Sequence, residues 1–259
     1  MTADFEPDLT LALRLADAAD AITLGRFRAA DLKVTRKPDR TPVTDADTAA
    51  EDALREILAV ERPDDAVLGE ERGGVAAAGR CWVLDPIDGT KNFSRGMPVW
   101  ASLIALTVDG TPVVGVVSAP ALDRRWWAAA GTGAWTADVG GAVRRIAVSG
   151  VSDLGDAYLS TTDMTIFGDR LGAYLSLAEA CWETRAFGDF WQYCLVAEGA
   201  VDVAVDGAAN PWDLAAVVTL VHEAGGRLTD LTGADTWAGG DGLATNGLLH
   251  DTALAHVGR

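Results

Sequence analysis

The segment that most restricts the fold is a short apolar run, Cys81-Trp82-Val83-Leu84, that is followed at once by Asp85 and, three residues later, by Asp88. The run predicts a buried strand that ends on Asp85. Pro86 restricts Asp85 to an extended backbone, and Gly89 permits a tight turn behind Asp88. Two carboxylates held this close repel each other unless a cation neutralises both. The segment therefore predicts a site for a hard divalent cation with oxygen ligands at the end of a strand.

Hydrophobic periodicity and turn residues predict the remaining elements. Asp109-Gly110 predicts a hairpin turn. The first half is rich in strands, and the second half alternates strands with helices, an order that favours packed layers of sheet and helix. We predict helices over residues 8–29, 44–60, 168–180, 189–200 and 211–224, strands over residues 66–69, 81–84, 100–108, 111–118, 125–130, 133–136, 144–148, 157–160, 201–205, 227–230 and 243–245, and loops over residues 33–42 and 73–79.

Charge and composition exclude several classes of protein. The chain has 259 residues and a formal net charge of −17, so its surface repels nucleic-acid phosphates and anionic membranes. Its apolar stretches are shorter than a membrane-spanning helix, and the acidic residues 1–7 lack the basic and apolar regions of a signal peptide. We therefore expect a cytoplasmic protein with no nucleic-acid or membrane partner. An anionic substrate would need local positive charge, which bound divalent cations supply.

Three further acidic groups stand at the ends of predicted elements, where layered α/β proteins place their sites. Asp45 and Asp47 begin the second helix, Glu70-Glu71 follow a strand, and Asp213 lies in the first turn of a late helix. Taken singly, each has another interpretation: a helix cap for Asp47, a solvated turn for Glu70-Glu71, and an interaction with the helix dipole for Asp213. Their occurrence together favours one site built from oxygen ligands.

A helical turn is predicted directly after the two central aspartates, over Gly89-Thr90-Lys91-Asn92-Phe93. Free amides at the start of such a turn bind phosphate. Thr90 adds a hydroxyl beside those amides, and Lys91 either adds positive charge or lies solvated at the surface.

The cysteines and histidines have poor spacing for a metal or catalytic set. We expect the cysteines to be buried, reduced thiols. These residues are Cys81, Cys181, Cys194, His222, His250 and His256.

Five runs of the sequence match a known pattern: Gly69-Glu70-Glu71, Trp82-Val83-Leu84-Asp85-Pro86-Ile87-Asp88-Gly89-Thr90-Lys91-Asn92-Phe93, Pro211-Trp212-Asp213-Leu214-Ala215-Ala216, Val43-Thr44-Asp45-Ala46-Asp47 and Glu223-Ala224-Gly225-Gly226. The chain resembles the inositol-monophosphatase family from about Leu11 to His250. The resemblance implies an α+β layered sandwich (αβαβα) of two closely packed subdomains. Residues 1–150 would carry the metal-binding motifs, and residues 151–259 would complete the metal site and contact the alcohol part of the substrate.

The resemblance also implies an enzyme that hydrolyses small phosphate monoesters and works as a homodimer. It would bind two or three Mg²⁺ ions per active site, with Mn²⁺ as an alternative. Glu70, Asp85 and the main-chain carbonyl of Ile87 would bind the first ion. Asp85, Asp88 and Asp213 would bind the second.

Catalytic roles for Glu70, Asp47 and Thr90 follow from the same resemblance, and the last two would hold the attacking water. The amides of Gly89 and Thr90 would hold the phosphate group. The reaction then needs neither a histidine nor a covalent nucleophile. The implied substrate-binding set is Asp88, Gly89, Thr90, Lys91, Arg185, Asp189, Asp206 and Asp213.

Three features favour L-histidinol phosphate, an intermediate of histidine biosynthesis, among the family's substrates. Lys91 stands where sugar-phosphate members commonly have threonine. The run from Asp88 to Phe93, followed by residues 98–103, resembles the bacterial histidinol-phosphatase branch. Asp189 lies in a segment, starting at Arg185, that contacts the alcohol in the family, and Asp206 precedes Asp213 by the family's spacing for another such acid. Acidic partners suit the ammonium and imidazole of histidinol better than a polyol. Asp189 is also typical of a helix cap, and Arg185 of a surface ion pair.

Two alternatives stay open. The first is a phosphatase of inositol 1-phosphate or a related sugar phosphate. The second, of another class, is an inactive family member that acts as a binding protein. The presence of acids at positions 85, 88 and 213 argues against the second alternative.

Overall fold

The computed structural model describes residues 4–38, 40–75, 78–138 and 141–258, which form helices and strands in a mixed order. The α-helices are α1 (Glu6–Arg26), α2 (Asp45–Glu61), α3 (Thr90–Ser94), α4 (Leu171–Ala180), α5 (Asp189–Ala197), α6 (Pro211–Glu223) and α7 (His250–Val257). The strands are β1 (Val34–Arg36), β2 (Pro42–Thr44), β3 (Ala66–Gly69), β4 (Arg80–Asp88), β5 (Ala101–Val108), β6 (Thr111–Ala119), β7 (Arg124–Ala129), β8 (Gly133–Asp138), β9 (Arg144–Ile146), β10 (Tyr158–Ser160), β11 (Glu183–Arg185), β12 (Val203–Asp206), β13 (Arg227–Thr229) and β14 (Gly242–Thr245).

The strands form two large sheets and one small ribbon. The larger sheet has the order β3-β4-β5-β6-β7-β8-β9, with β3 and β4 parallel and the other neighbours antiparallel. The smaller sheet has the order β11-β10-β12-β14-β13, with β10 parallel to both of its neighbours. The ribbon pairs β1 with β2 and leads directly into α2.

Helices and sheets alternate in five layers. α1 and α2 cover one face of the larger sheet, where Leu54 packs in the same cluster as Trp82. α5 and α6 fill the space between the two sheets, where Leu214 shares a core with Trp126 and Ala244. α4 and α7 cover the far face of the smaller sheet. This order confirms the predicted αβαβα sandwich.

β4 is buried on both faces, which explains its continuous apolar run. Cys81 and Val83 belong to the core between the two sheets, whereas Trp82 and Leu84 pack beneath α1 and α2. Successive side chains of a strand point to opposite faces, so four apolar residues in a row indicate a central strand covered on both sides.

α6 lies in direct backbone contact with the larger sheet. A Cβ atom on Gly115 of β6 would overlap the main-chain carbonyl of Ala216 on α6. Only glycine permits this approach. The contact fixes the height of α6 above the sheet and therefore the position of its first turn, which carries Asp213.

Most predicted elements are present within a few residues of their expected bounds, but three need correction. The loop predicted over residues 33–42 is wrong in part, because Val34–Arg36 pairs with Pro42–Thr44; residue 39 lies outside the described residues. The strand predicted to end on Asp85 continues to Asp88. The helix predicted over residues 168–180 begins as a 3₁₀ helix, because Gly168 has a φ of 51° and interrupts the helical backbone.

Besides β1 and β2, the strand β11 and the helix α7 were not predicted, and each of these two lacks a strong local signal. β11 is an exposed edge strand without apolar alternation. α7 is a short helix with little periodicity to reveal it. The helix predicted over residues 189–200 ends earlier, at Ala197. Residues 76 and 77 of the predicted loop 73–79 lie outside the described residues. Cys81 and Cys194 are buried as expected, but the expectation is wrong for Cys181, which is only partly buried.

The larger sheet lies within residues 66–146 and the smaller within residues 158–245. The predicted boundary at residue 150 thus falls between them, although both sheets pack on the same two helices. The division into residues 1–150 and 151–259 stays a prediction. Among the residues described, no helix combines the length and apolar character needed to span a bilayer.

Candidate active site

A β-bulge brings Asp85 and Asp88 to the same side of β4. In a regular strand, residues three apart point to opposite faces. Asp85 pairs with Leu103 and Asp88 with Ala101, so three steps along β4 match two steps along β5. The extra residue is a bulge, which re-aims the following side chain. Pro86 has no amide hydrogen to donate, and it lies within this irregular stretch, where proline is tolerated.

The third carboxylate comes from the first turn of α6. Asn210 caps this helix and Pro211 begins it, a position that suits proline. Asp213 Oδ2 accepts a hydrogen bond from the backbone amide of Asn210 at 2.7 Å. Carboxylate oxygens of Asp85, Asp88 and Asp213 all lie within 4.8 Å of one another. The structure thus brings together the three acids predicted for the second ion.

Burial and mutual repulsion perturb these acids strongly. Burial, followed by the charges of Glu70 and Asp88, raises the pKa of Asp85 well above its ordinary value. Burial, followed by the charges of Asp189 and Asp213, does the same to the pKa of Asp88. Burial raises the pKa of Asp213 to about 7, with the charge of Glu70 adding to it. A hard divalent cation fits this set, because every donor is an oxygen and the cation would remove the repulsion.

The turn that carries Glu70 is held by a buried acid on α2. Glu70 lines the same cleft as Asp213. Glu51 accepts the backbone amides of Glu71, at 2.7 Å, and Arg72, at 3.1 Å. The side chain of Glu51 is fully buried, so these bonds fix the backbone that follows Glu70.

Glu51 is a residue that the sequence analysis missed. It lies four residues after Asp47 and three before Leu54, so it shares the buried face of α2. A glutamate on such a face requires partners, and this was the available signal. Its charge is balanced by Arg55, whose Nε lies 2.7 Å from Oε1 of Glu51.

A lysine from the β1–β2 connection contacts the Glu70-Glu71 turn. Lys37 Nζ lies 2.7 Å from Oε1 of Glu70 and 2.7 Å from Oε1 of Glu71. Burial opposes the charge on Lys37, but the hydrogen bonds with both glutamates outweigh it and raise its pKa. Burial raises the pKa of Glu71 to about 7. Glu70, a predicted ligand of the first ion, therefore already faces a cation.

Asp47 and Thr90 form the predicted pair. Thr90 Oγ1 lies 3.1 Å from Oδ1 of Asp47 and 3.0 Å from the carbonyl oxygen of Ile87. Asp47 Oδ2 accepts the backbone amide of Thr44 at 2.9 Å, as part of the capping box of α2. Burial raises the pKa of Asp47 to about 6 against these hydrogen bonds. The predicted cap and the predicted catalytic role thus use different oxygens of one carboxylate.

The turn after β4 depends on glycine. Gly89 has a φ of 85°, in the left-handed region, and precedes the short helix α3. A Cβ atom there would come within 2.9 Å of the carbonyl oxygen of Val99. The backbone at Gly89 and Thr90 can therefore follow Asp88 directly into the turn, as the phosphate-binding prediction requires.

A cleft of about 480 Å³ is lined by Glu70, Asp88, Gly89, Thr90 and Asp213, and it also contains Lys91 and Asp189. Lys91 is exposed at this cleft. Asp189 Oδ2 accepts a hydrogen bond from Nδ2 of Asn92 at 3.0 Å. The next amide, that of Phe190, donates to Oδ2 of Asp88 at 2.5 Å. Burial, followed by the charge of Asp206, raises the pKa of Asp189 to about 6.

The two remaining predicted substrate residues lie in different surroundings. Asp206 is buried and borders a smaller pocket beside the cleft. Burial raises the pKa of Asp206 against its hydrogen bonds. Arg185 lines neither cavity: its Nη1 lies 2.5 Å from Oε2 of Glu183, and its guanidinium lies over the ring of Tyr158. The structure therefore does not bring Arg185 to the cleft, and the alternative of a surface ion pair describes it.

Thr162 is a second residue that the sequence analysis missed. Its hydroxyl accepts the backbone amide of Asp189 at 2.9 Å, and its own amide donates to Oδ1 of Asp206 at 3.2 Å. It therefore joins the two predicted substrate acids. The available signal was a polar run, Ser160-Thr161-Thr162, at the end of a predicted strand.

Comparisons with known proteins agree on one family. The model of the inositol monophosphatase family matches residues 4–259. The chain is 55% identical over 254 residues to the histidinol-phosphatase of Mycobacterium tuberculosis, with 96% of this chain and 97% of that protein covered. It is 49% identical over 260 residues to the histidinol-phosphatase of Streptomyces coelicolor, with 98% of each covered. The solved structure of an inositol monophosphatase from Zymomonas mobilis superposes with a TM-score of 0.87 at 34% identity, covering 98% of this chain and 99% of that chain.

Proposed function

This chain is a phosphatase of the inositol monophosphatase family, and on that premise we propose that it is a Mg²⁺-dependent histidinol-phosphatase. It would convert L-histidinol phosphate and water to L-histidinol and phosphate, a step of histidine biosynthesis. One observation carries the proposal. Asp85, Asp88 and Asp213 place carboxylate oxygens within 4.8 Å of one another, and Asp88 and Asp213 line a cleft that also contains Asp189 and Lys91.

The residues present fit Mg²⁺, because the converging donors are oxygens. We assign Glu70, Asp85 and the main-chain carbonyl of Ile87 to one ion. Asp85, Asp88 and Asp213 would hold a second. When bound, the ions lower the pKa of water and neutralise the charge of the phosphoryl group. Mn²⁺ suits the same oxygen ligands and is the alternative ion.

Asp47 and Thr90 would position the attacking water. With the Thr90 hydroxyl donating to Asp47, 3.1 Å away, the lone pairs of its oxygen face a water and accept a hydrogen bond from it. The proton of that water would then pass through the hydroxyl to Asp47. A pKa of about 6 suits Asp47 as a general base near neutral pH. Thr44 holds the other oxygen of Asp47 and so keeps the carboxylate aimed at Thr90.

The phosphate group would rest against the turn that follows β4. The amides of Gly89 and Thr90 belong to the start of this turn, and amides at such a position bind phosphate oxygens. Lys91 would add positive charge at the rim. Hydrolysis of a phosphate monoester depends mainly on such positioning and charge neutralisation.

The acidic groups around the cleft favour a substrate whose alcohol part carries a positive charge. Asp189 lines the cleft, and Asp206 borders the adjoining pocket. Both suit the ammonium of histidinol better than the hydroxyls of a polyol. The two curated relatives described above, each named histidinol-phosphatase, support the same substrate.

A comparison of three substrates tests the proposal. We expect kcat/KM for histidinol phosphate to exceed that for inositol 1-phosphate and fructose 1,6-bisphosphate by about tenfold or more, with turnover lost in EDTA. Asp88→Asn should abolish turnover and keep a cooperative thermal transition. Asp251→Asn, at an exposed aspartate in the first turn of α7, is the matched control and should retain turnover.

Each outcome separates the alternatives. A preference for inositol 1-phosphate would contradict the substrate but not the reaction. Absence of metal-dependent phosphate release from all three esters would contradict the enzyme and favour a binding protein. Near-normal kcat in the Asp88→Asn variant would contradict the metal assignment.

We also propose that the protein is a cytoplasmic homodimer. Support comes from β11, which lies at the edge of its sheet, and from the adjacent Trp182, whose surface is 62% exposed. An edge strand can pair with a strand of another chain, and Trp182 would add apolar contact area to such a pairing. Sedimentation analysis of the wild type and of Trp182→Ser tests this, and a monomeric wild-type protein would contradict it.

A further inference from the structure

The β-bulge in β4 faces a single residue of the neighbouring strand, Ser102 of β5. The register shifts between Asp85 and Asp88, so Pro86 and Ile87 have only Ser102 opposite them. Both bulged residues are buried. A bulge disrupts the ladder of backbone hydrogen bonds, and buried backbone groups that lose a ladder partner need another one. The polar backbone atoms of this bulge therefore depend on side chains.

Three side chains contact the backbone of the bulge. Pro86 has no amide hydrogen, and its carbonyl oxygen accepts a hydrogen bond from Oγ of Ser102 at 2.7 Å. The amide of Ile87 donates to Oδ1 of Asp85 at 3.0 Å. The carbonyl oxygen of Ile87 lies 3.0 Å from Oγ1 of Thr90. Asp85 and Thr90 already have proposed roles in the reaction, whereas Ser102 has none.

Ser102 and Asp85 hold opposite ends of one peptide group. The carbonyl of Pro86 and the amide of Ile87 belong to the same trans peptide, so they point in opposite directions. Ser102 holds the carbonyl end, and Oδ1 of Asp85 accepts from the amide end. Rotation of this peptide plane would break both hydrogen bonds. The hydroxyl of Ser102 therefore helps to fix the direction in which the amide holds the Asp85 carboxylate.

The side chain of Ser102 lies on the face of the larger sheet that is turned away from the cleft. Its neighbours Ala101 and Leu103 belong to the core between the two sheets, so Ser102 points to the opposite face. On that face its cross-strand partner, Ser118, donates a hydrogen bond to Asp20 of α1 at 2.7 Å. Ser102 is fully buried and does not line the cleft. It can therefore act on the site only through the backbone that it holds.

We propose that Ser102 is a positioning residue for the metal site. Its hydroxyl fixes the peptide group between Pro86 and Ile87, and that peptide group orients Asp85 before an ion binds. Loss of an outer partner of a metal ligand typically weakens metal affinity by about 10- to 100-fold. The inference rests on the proposed function, because it takes Asp85 as a ligand of Mg²⁺.

Removal of the hydroxyl tests this role. Ser102→Ala should raise the Kd for Mg²⁺, measured by calorimetry without substrate, by about 10- to 100-fold. Ser102→Thr keeps a hydroxyl and should bring the Kd back to within about threefold of the wild type.

Thr107→Val is the matched control. Thr107 is buried on the same strand, and its hydroxyl donates to a β4 carbonyl oxygen, that of Cys81, at 3.2 Å, away from the bulge. This variant also loses a hydroxyl that joins β5 to β4, so it controls for a general loss of stability. Its Kd for Mg²⁺ should change by less than about threefold.

A measurement without metal separates positioning from stability. In EDTA, hydrogen exchange followed by NMR should show the amide of Ile87 exchanging about tenfold or more faster in Ser102→Ala than in the wild type. The same amide should keep its wild-type rate in Thr107→Val.

The outcomes distinguish this inference from the proposed function. If the wild type binds Mg²⁺ and Ser102→Ala binds it equally well, the positioning role is overturned and the proposed function stands. The role is also overturned if Ser102→Ala and Thr107→Val weaken Mg²⁺ binding to the same extent. If the wild type binds no Mg²⁺ and its phosphate release is unaffected by EDTA, both are overturned.

Discussion

Asp213→Asn should stabilise the protein in the absence of metal, although the same change removes a proposed metal ligand. The pKa of Asp213 is raised from its ordinary value of 3.8 to about 7, chiefly by burial. Each unit of pKa shift corresponds to about 1.4 kcal/mol, so at pH 7 Asp213 lowers the free energy of unfolding by up to about 4 kcal/mol. Asparagine carries no charge, and its carbonyl oxygen still accepts the amide of Asn210. It loses about 0.5–1 kcal/mol of helix-dipole interaction, so a net gain of about 3 kcal/mol is expected.

The pH dependence identifies the cause. The folded state binds a proton on Asp213 that the unfolded state releases between pH 3.8 and about 7. The contribution of this acid to the free energy of unfolding is therefore greatest below the unfolded pKa and is lost as the pH rises toward the folded pKa. The advantage of Asp213→Asn should be about 3 kcal/mol at pH 7 and about 1 kcal/mol at pH 5.

Urea unfolding in EDTA at both pH values measures this difference. Asp251→Asn, at a side chain that is 90% exposed, is the matched control and should change stability by less than about 1 kcal/mol at either pH. Mg²⁺ should stabilise the wild type by RT ln(1 + [Mg²⁺]/Kd) and Asp213→Asn much less. The reasoning would be refuted if the metal-free variant were less stable than the wild type at pH 7. It would also be refuted if the difference in the free energy of unfolding were the same at both pH values.

Three further substitutions probe the neighbours of the site. Thr90→Ala should lower kcat by about 10²- to 10⁴-fold without changing the unfolding midpoint; a kcat within threefold of the wild type, measured by phosphate release, would remove Thr90 from proton transfer. Glu51→Gln should weaken Mg²⁺ binding by about 10- to 100-fold through the Glu70 turn, and unchanged affinity by calorimetry would show that the turn holds without it. Gly115→Ala should destabilise the protein by about 1–3 kcal/mol or more, and an unchanged thermal transition would disprove the close approach of α6.

The family and the reaction class were predictable because their signals are local. The motifs around Asp85 and Asp213 are long continuous runs, and the predicted family is confirmed. The buried strand β4 was equally predictable, because four consecutive apolar residues report burial on both faces. Sequence alone also indicated that Asp47 caps α2, since the capping residues lie within one turn.

Other features depend on contacts between distant residues. The bulge that aligns Asp85 and Asp88 exists only in the pairing of β4 with β5, and no residue of β4 alone specifies that register. The contact of Lys37 with Glu70 joins residues on separate elements. The position of Arg185 was predicted from its motif, but the exposed edge strand that carries it leaves its side chain beside Glu183.

The placement of α6 between the two sheets has a consequence for synthesis of the chain. The larger sheet is complete in sequence at Ile146, yet one of its faces is covered by α5 and α6, which end at Ala197 and Glu223. During translation, the apolar face that includes Trp126 therefore stays uncovered until α5 and α6 have been synthesised. A nascent chain at that stage presents a wide apolar surface, the kind of intermediate that chaperones bind. Truncation before Glu223 should consequently yield an aggregating chain rather than a smaller folded domain.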